Sequence, residues 1–478
     1  VSPDRPSIVE LPGWREPVEL LQASRGRRRV ALLWSGGGDA SLARFHVLVA
    51  DPYLTFRWGD GRAVVEDASG EVSIAVRDPL AHLAALLGRG PSAPHPPWPF
   101  ASGAVGFIGY DAARGIERLP SIAADDRPHA QIEFSLYDWA VNWDRALGKW
   151  CVLASGAPGR DRLDRIAGAE AVCAREARWA ASIPPASPRA PRRAPGSSVG
   201  LRASLDRDAY LDAVSTIKRR IERGECYEVN LSRRLTVREK VDPRDLFAAL
   251  SVANPAPFAS FIEIASGALV GSSPERFLSV HDGVAESRPI KGTLGRRAGD
   301  LEDRAQAARL SGSPKDRAEN IMIVDLVRND LGRVSRPGSI EVAALCAVES
   351  FAGVHHLVST VRGRLDPGRS ALDAARALFP PGSMTGAPKI RAMEVIESIE
   401  PVRRGPYAGA AGYFSSSGEA DLSVVIRTFV LSPEAIDLQV GGAVVADSDP
   451  AGEFDEAAVK GERALVALAE TLGRPLSI

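Results

Sequence analysis

The sequence predicts an α+β fold: a large, mainly antiparallel β-sheet sandwich with helices packed on the outside. Three observations carry it. Short apolar runs bounded by turn residues recur along the whole chain. Longer segments with apolar residues three to four apart are interspersed with them. The strands after residue 200 are too many for βαβ repeats, and 478 residues exceed one ordinary core.

Taken in order, residues 1–180 hold short strand-like pieces, Val30 to Trp34, Glu71 to Val76 and Ala140 to Trp143, broken by Gly and Pro clusters. Residues 181–200 (ASIPPASPRAPRRAPGSSVG) lack any apolar period and read as an exposed linker. Residues 201–478 form the third region. There Tyr210, Val214, Ile217 and Ile221 mark an amphipathic helix over Asp206 to Arg223, stopped by Gly224. Strands are expected at Tyr227 to Leu235, Phe258 to Ile264, Ala268 to Ser272, Phe277 to His281, Leu357 to Arg362, Tyr407 to Phe414, Asp421 to Val430 and Ala435 to Val445. Asp316 to Val334 is apolar almost all round, as a buried helix would be.

Charge excludes some functions. With 59 Lys+Arg against 60 Asp+Glu and no basic tract interleaved with aromatics, nucleic acid is not an expected partner. Cys151, Cys173, Cys226 and Cys346 are scattered, without the close pairs of a zinc site. Neither a signal-like start nor a membrane-length apolar stretch occurs, so the expectation is a soluble, cytoplasmic protein with no membrane partner.

Several residues could carry chemistry. Asp316 and Glu319 share one helix face, as do Glu453, Glu456 and Lys460 on the last helix. Alone, the first set reads also as charge complementing the helix dipole and the second as a solvated charged stripe; brought together, they would offer Mg²⁺ the hard oxygen ligands it accepts. The loop Gly382-Ser-Met-Thr-Gly-Ala-Pro-Lys389 opens a helix, and its amides and hydroxyls could hold an anion, although it is not a Walker A loop. His355 and His356 open a strand, where one of them should point inward. Arg427 interrupts an apolar strand and would need an acid if buried. Lys291, between Pro289 and Thr293, is either an ordinary solvated lysine or one held in a tight apolar turn, where it could lose its proton and act as a nucleophile.

Seven ordered motifs together resemble the chorismate-utilising family, which includes the anthranilate synthase large component, aminodeoxychorismate synthase component I, and the isochorismate and salicylate synthases. They are Ser273-Pro-Glu-Arg-Phe277, Arg288-Pro-Ile-Lys-Gly-Thr293, Ala318 to Leu326, His356-Leu-Val-Ser359, Gly382 to Lys389, Ile426-Arg-Thr428 and Val444-Val-Ala-Asp-Ser448. A weaker likeness runs through Gly103 to Tyr110. The resemblance implies that Glu319 and Glu456 hold Mg²⁺ against the ring carboxylate of chorismate, with Asp316 and Glu453 behind them. It implies that Tyr407, Arg427 and Lys460 grip the substrate carboxylates, and that Thr385, Gly386, Ala443 and His356 line the pocket.

Within that family, lysine at the position of Lys291 resembles the aminodeoxychorismate synthase type, where anthranilate synthases carry alanine. The implied reaction is an Mg-dependent amination of chorismate to 4-amino-4-deoxychorismate, toward p-aminobenzoate and folate. Lys291 would attack ring C2 and Glu275 would act as general acid for the departing hydroxyl. No cysteine lies in a Gly-Cys-Gly nucleophile turn, so a separate glutamine amidotransferase subunit, or high ammonium, is expected to supply ammonia. Glu228 departs from the family's Gln, or Lys in its water-activating branch. Ala443 replaces the last glycine of a Gly-Gly-Gly, and Trp34 replaces the Glu of an element associated with tryptophan feedback. The alternatives are anthranilate synthase component I and a catalytically silent member acting as a binding partner.

Overall fold

The computed structural model describes residues 6–37, 42–88, 96–127, 129–156, 162–184, 197–351 and 353–477. Two 12-stranded sheets dominate it, and the pairings within each are antiparallel. Apolar side chains from the two facing layers, among them Val47, Phe107, Tyr137, Ile262, Leu269, Ala411 and Val430, form a shared core. Helices cover the outer faces. Tyr210, Val214 and Ile217 of the Arg207–Glu222 helix pack into one outer core, and Ile323, Val324 and Val327 of the Pro314–Gly332 helix into the other. That is the sandwich the strand count predicts.

The two regions flanking the predicted linker share both sheets. Ala31–Trp34 pairs with Phe258–Ile264 in the first, and Gly103–Ile108 pairs with Ala410–Ser415 in the second. Of the linker, residues 185–196 lie outside the described residues. Its ends are ordered differently from the expectation: Ala181 and Ser182 close the Arg162–Ser182 helix, and Val199–Gly200 pairs in parallel with Leu476–Ser477.

Three local expectations are corrected. The Pro314–Gly332 helix is not buried all round: Asn320, Ile323, Val324, Val327, Asp330 and Leu331 are buried, whereas Ile321 is 39% exposed. The run from Asp421 to Val430 is two strands, because Ala420–Val424 belongs to the second sheet and Thr428–Leu431 to the first. Val425 to Arg427 is the joint between them, and Arg427 takes a left-handed backbone (φ 50°) that a non-glycine residue holds only when its surroundings fix it. Lys291 lies not in a loop but on the strand Ile290–Gly295, which pairs with Val354–Arg364.

Candidate active site

The register of that last pairing slips between Ile290 and Thr293, placing Lys291 and Gly292 in a bulge. Gly292 has φ +81°, and a Cβ there would lie 2.9 Å from the Asp316 side chain. Only glycine therefore lets the strand bulge and the Pro314–Gly332 helix approach it together. The bulge turns Lys291 inward, where it is 7% exposed at the wall of a cavity of about 160 Å³.

Two capped helices bring in carboxylates. Ser313 accepts the Asp316 amide at 3.3 Å with Pro314 in the first turn, and Asp449 accepts the Gly452 amide at 2.8 Å ahead of Pro450–Leu472. Asp316 and Glu319 from the first helix, and Glu453, Glu456 and Lys460 from the second, all line the cavity. Lys315 reaches between them, its Nζ 3.9 Å from both Glu319 Oε1 and Glu453 Oε1. Lys460 pairs with Glu456 at 2.8 Å and donates to the Gly441 carbonyl at 3.1 Å.

Glu319 Oε1 and Glu453 Oε2 are buried without a hydrogen-bond partner among the described residues. Burial pushes Glu319 up to about 7 and raises Glu453; at Glu456 burial is outweighed by Lys460, with Lys315 and Lys291, and the pKa is lowered. Carboxylate oxygens left without a hydrogen bond at a cavity wall fit a hard divalent cation completed by waters and a substrate anion. Glu319 and Glu456, with Glu453 and Asp316 beside them, are the residues that could hold one. A tighter trio, with ligand atoms within 4.8 Å of one another, occurs at His281, Asp282 and Glu419, well away from this cavity and largely exposed.

Glu275 precedes the strand Arg276–His281 and is 5% exposed. Its Oε1 accepts from Ser383 Oγ at 2.7 Å and from the Ile290 amide at 3.4 Å. Burial outweighs both bonds and lifts its pKa to about 7, so near neutral pH it carries a proton it can give away. Lys291 contradicts the expectation of an apolar turn. Burial alone would depress its pKa, but Glu228, Glu319 and Glu275 outweigh burial and hold the ammonium above its usual value. Its Nζ lies 2.5 Å from Glu228 Oε1 and 3.4 Å from the Ser383 carbonyl.

His355 and His356 face opposite ways along their strand. His355 bonds Ser350 and Asp303, while His356 lines the cavity with Nδ1 2.8 Å from Thr293 Oγ1 and a buried, unpartnered Nε2. Burial and Arg427 push His356 down to about 3, so it is neutral at physiological pH. Arg427 lines the same cavity without an ion pair among the described residues. Burial lowers its pKa to about 10, which leaves it a cation awaiting an anion. Tyr407, just ahead of the strand Ala410–Ser415 rather than on it, and Ala443 complete the wall.

The glycine-rich loop enters differently from the prediction. Ser383 and Met384 line the cavity, and Thr385 and Gly386 sit behind them. The Thr385 amide and hydroxyl both donate to the Gly382 carbonyl, and its own carbonyl accepts the Asn230 amide. Gly386 pairs with Val229, so close that a Cβ would lie 2.1 Å from the Glu228 carbonyl oxygen. Lys389 is tied to Asp330 and the Leu378 carbonyl and points elsewhere. Sequence reasoning missed Ser383, Asn230 and Lys315 as wall residues; all three adjoin or lie within segments singled out above, and only the tertiary packing distinguishes them from their neighbours. Trp34, in the strand Ala31–Trp34, packs against His46 and Phe247.

A sandwich whose cavity holds a buried lysine, a protonatable glutamate, opposed carboxylates and an arginine without an ion pair among the described residues has the make-up of an enzyme site for a small anionic substrate. The family model described as chorismate binding enzyme matches residues 32–466, so the chain belongs to that family and is a chorismate-utilising enzyme. It is 38% identical to aminodeoxychorismate synthase component 1 of Klebsiella aerogenes, over 96% of this chain and 98% of that one. It is 37% identical to anthranilate synthase component 1 of Streptomyces coelicolor, over 84% and 78%. The crystal structure of anthranilate synthase component I from Streptococcus pneumoniae superposes with a TM-score of 0.76 at 31% identity, covering 88% of this chain and 92% of that one. Among the described residues no helix is long and apolar enough to cross a membrane.

Proposed function

We propose that this enzyme is an aminodeoxychorismate synthase component I, converting chorismate and ammonia to 4-amino-4-deoxychorismate for p-aminobenzoate and folate synthesis. One observation carries the reading: Lys291, a primary amine, is buried in the cavity wall beside Glu275, a carboxyl that holds a proton near pH 7. The amine adds to ring C2, the ring double bond shifts, and the C4 hydroxyl leaves as water with the Glu275 proton. Ammonia then adds at C4, the double bond returns, and the C2–N bond breaks to free Lys291. Dividing one difficult substitution into two easier ones is what covalent catalysis supplies.

Arg427, Tyr407 and Lys460 grip the substrate carboxylates, and His356, neutral, offers the pocket a hydrogen bond. Glu319 and Glu456 would hold Mg²⁺, which when bound anchors and polarises the ring carboxylate. Ammonia comes from a glutamine amidotransferase subunit. The "component 1" names of the relatives support this, as do the four buried, unpaired cysteines. Burial raises the thiols of Cys151, Cys173 and Cys226, which disfavours the thiolate a glutaminase nucleophile needs. Free thiols also suit the cytoplasm.

Lys291→Ala tests the proposal. It should lower aminodeoxychorismate formation by at least about 10³-fold while chorismate affinity, measured by titration calorimetry, stays within a few-fold. Wild-type turnover in the variant would sink the covalent reading.

A further inference from the structure

Glu228 is the deepest charged residue near the site. It opens the strand Glu228–Val237, is 0% exposed, and sits behind Lys291 rather than on the cavity wall. A buried carboxylate needs partners, and this one has few: Oε1 takes Lys291 Nζ at 2.5 Å, and Oε2 is buried with no hydrogen-bond partner among the described residues. Leaving a lone pair unmet at zero exposure is costly for a residue that only anchors a side chain. The Gly386 contact packs the loop against Glu228's backbone, which fixes the strand from which the carboxylate projects.

We propose that Glu228 is the proton acceptor that frees the Lys291 amine and returns the proton when the amine departs. The proposal rests on the covalent reading above. In the first step one N–H proton of the ammonium passes to Glu228 Oε1, the nitrogen lone pair forms the bond to ring C2, and the electrons leave with the C4 oxygen, which takes the Glu275 proton and departs as water. In the second, ammonia bonds to C4 and its surplus proton goes to the Glu275 carboxylate. The C2–N bond electrons return to Lys291, which recovers its proton from Glu228. Both carboxyl groups end as they began, and chorismate has exchanged hydroxyl for amine with release of one water. A separate acceptor is required because Glu275 must be protonated at the moment Lys291 must not be, so one carboxyl cannot serve both ends.

The other groups facing Lys291 are Glu275, Glu319 of the Pro314–Gly332 helix, Glu456 of the Pro450–Leu472 helix, and the Ser383 carbonyl, with Asp316 against the neighbouring Gly292. Among the described residues its hydrogen bonds go to Glu228 and Ser383 alone, not to Glu319 or Glu456. The buried ion pair with Glu228 holds Lys291 as an ammonium at rest, so freeing its amine requires an acceptor within reach, and Glu228 Oε1 at 2.5 Å is the one bonded to it.

Intact-mass spectrometry of the full chain tests this. With chorismate and saturating Mg²⁺ but no ammonium, wild type should gain one chorismate less one water on Lys291. Glu228→Gln should slow that gain about 10²-fold near pH 7, with a rate that rises about tenfold per unit between about pH 5.5 and 7 as the lysine loses its proton to solvent. Wild type should be nearly flat over that range, and Glu228→Asp should recover part of the rate. An adduct formed by Glu228→Gln at the wild-type rate, or a slowing that is the same at every pH, overturns the proposal. A wild-type chain that forms no adduct while still turning over with ammonium overturns the covalent reading, and this one with it.

Discussion

Ser383 donates its hydroxyl to Glu275 at 2.7 Å while its own carbonyl lies 3.4 Å from Lys291 Nζ. One residue of the Gly382–Met384 turn therefore sets the spacing of the proposed acid and the proposed nucleophile. Lys291 lies on the strand Ile290–Gly295 and Glu275 just ahead of the strand Arg276–His281 of the same sheet, and that shared contact holds them in a common frame. Ser383→Ala should reduce turnover about tenfold, the cost of one buried hydrogen bond to an ionisable group, with chorismate binding little changed; a steady-state kcat and KM comparison reads it.

Glu275 should trade stability for activity. Its pKa is about 7 in the fold against an ordinary 4.5, so the folded state binds a proton the unfolded state has lost. Stability is therefore forfeited as pH rises from about 4.5 to 7 and stays low above it. Glu275→Gln should match wild type near pH 4 and exceed it by up to about 3 kcal/mol near pH 8, measured by urea unfolding. The same variant should lose at least about 10²-fold in turnover. In wild type, kcat/KM for chorismate should fall about tenfold per unit above about pH 7, as the acid ionises.

Chelation should abolish turnover, and Mg²⁺ should restore it. Glu319→Gln removes one carboxylate charge without removing its bulk, and should raise the Mg²⁺ concentration for half-maximal activity by about tenfold or more. Full turnover in chelator would contradict the metal assignment.

Arg427 makes no ion pair among the described residues, with Glu275 as the acid it senses, and is held at φ 50° in the joint between sheets. If it receives a substrate carboxylate, Arg427→Gln forfeits a charge-assisted bond of about 1.5–3 kcal/mol and should raise KM for chorismate by about 10- to 100-fold. Arg427→Lys should recover little, since an ammonium cannot reproduce the planar fork.

Gly292→Ala adds a Cβ 2.9 Å from the Asp316 side chain at φ +81°. It should cost about 1–2 kcal/mol of stability and displace Lys291, lowering turnover further than the stability loss explains. Thermal unfolding beside kinetics at a permissive temperature separates the two.

How much of this the sequence reveals depends on range. The helix over Tyr210 to Ile217 follows from apolar spacing within one segment, and the structure has it. Nine of the eleven predicted site residues line one cavity, because the motifs that carry them are short and local; Thr385 and Gly386 fall one layer back, where a backbone turn consumes the Thr385 groups. Long-range facts are illegible in a single chain. Nothing near Lys291 announces that Glu228, 63 residues earlier, pairs with it, so where an apolar turn is expected the structure has a strand bulge against a carboxylate. The break between Val424 and Thr428 is equally hidden, since both strands are apolar and only the sheet each joins tells them apart.

The most direct test is the product itself. Chorismate, Mg²⁺ and ammonium incubated with the enzyme should give 4-amino-4-deoxychorismate, resolved by mass with its enolpyruvyl ether intact and no pyruvate released. Anthranilate with one pyruvate per turnover would contradict the account.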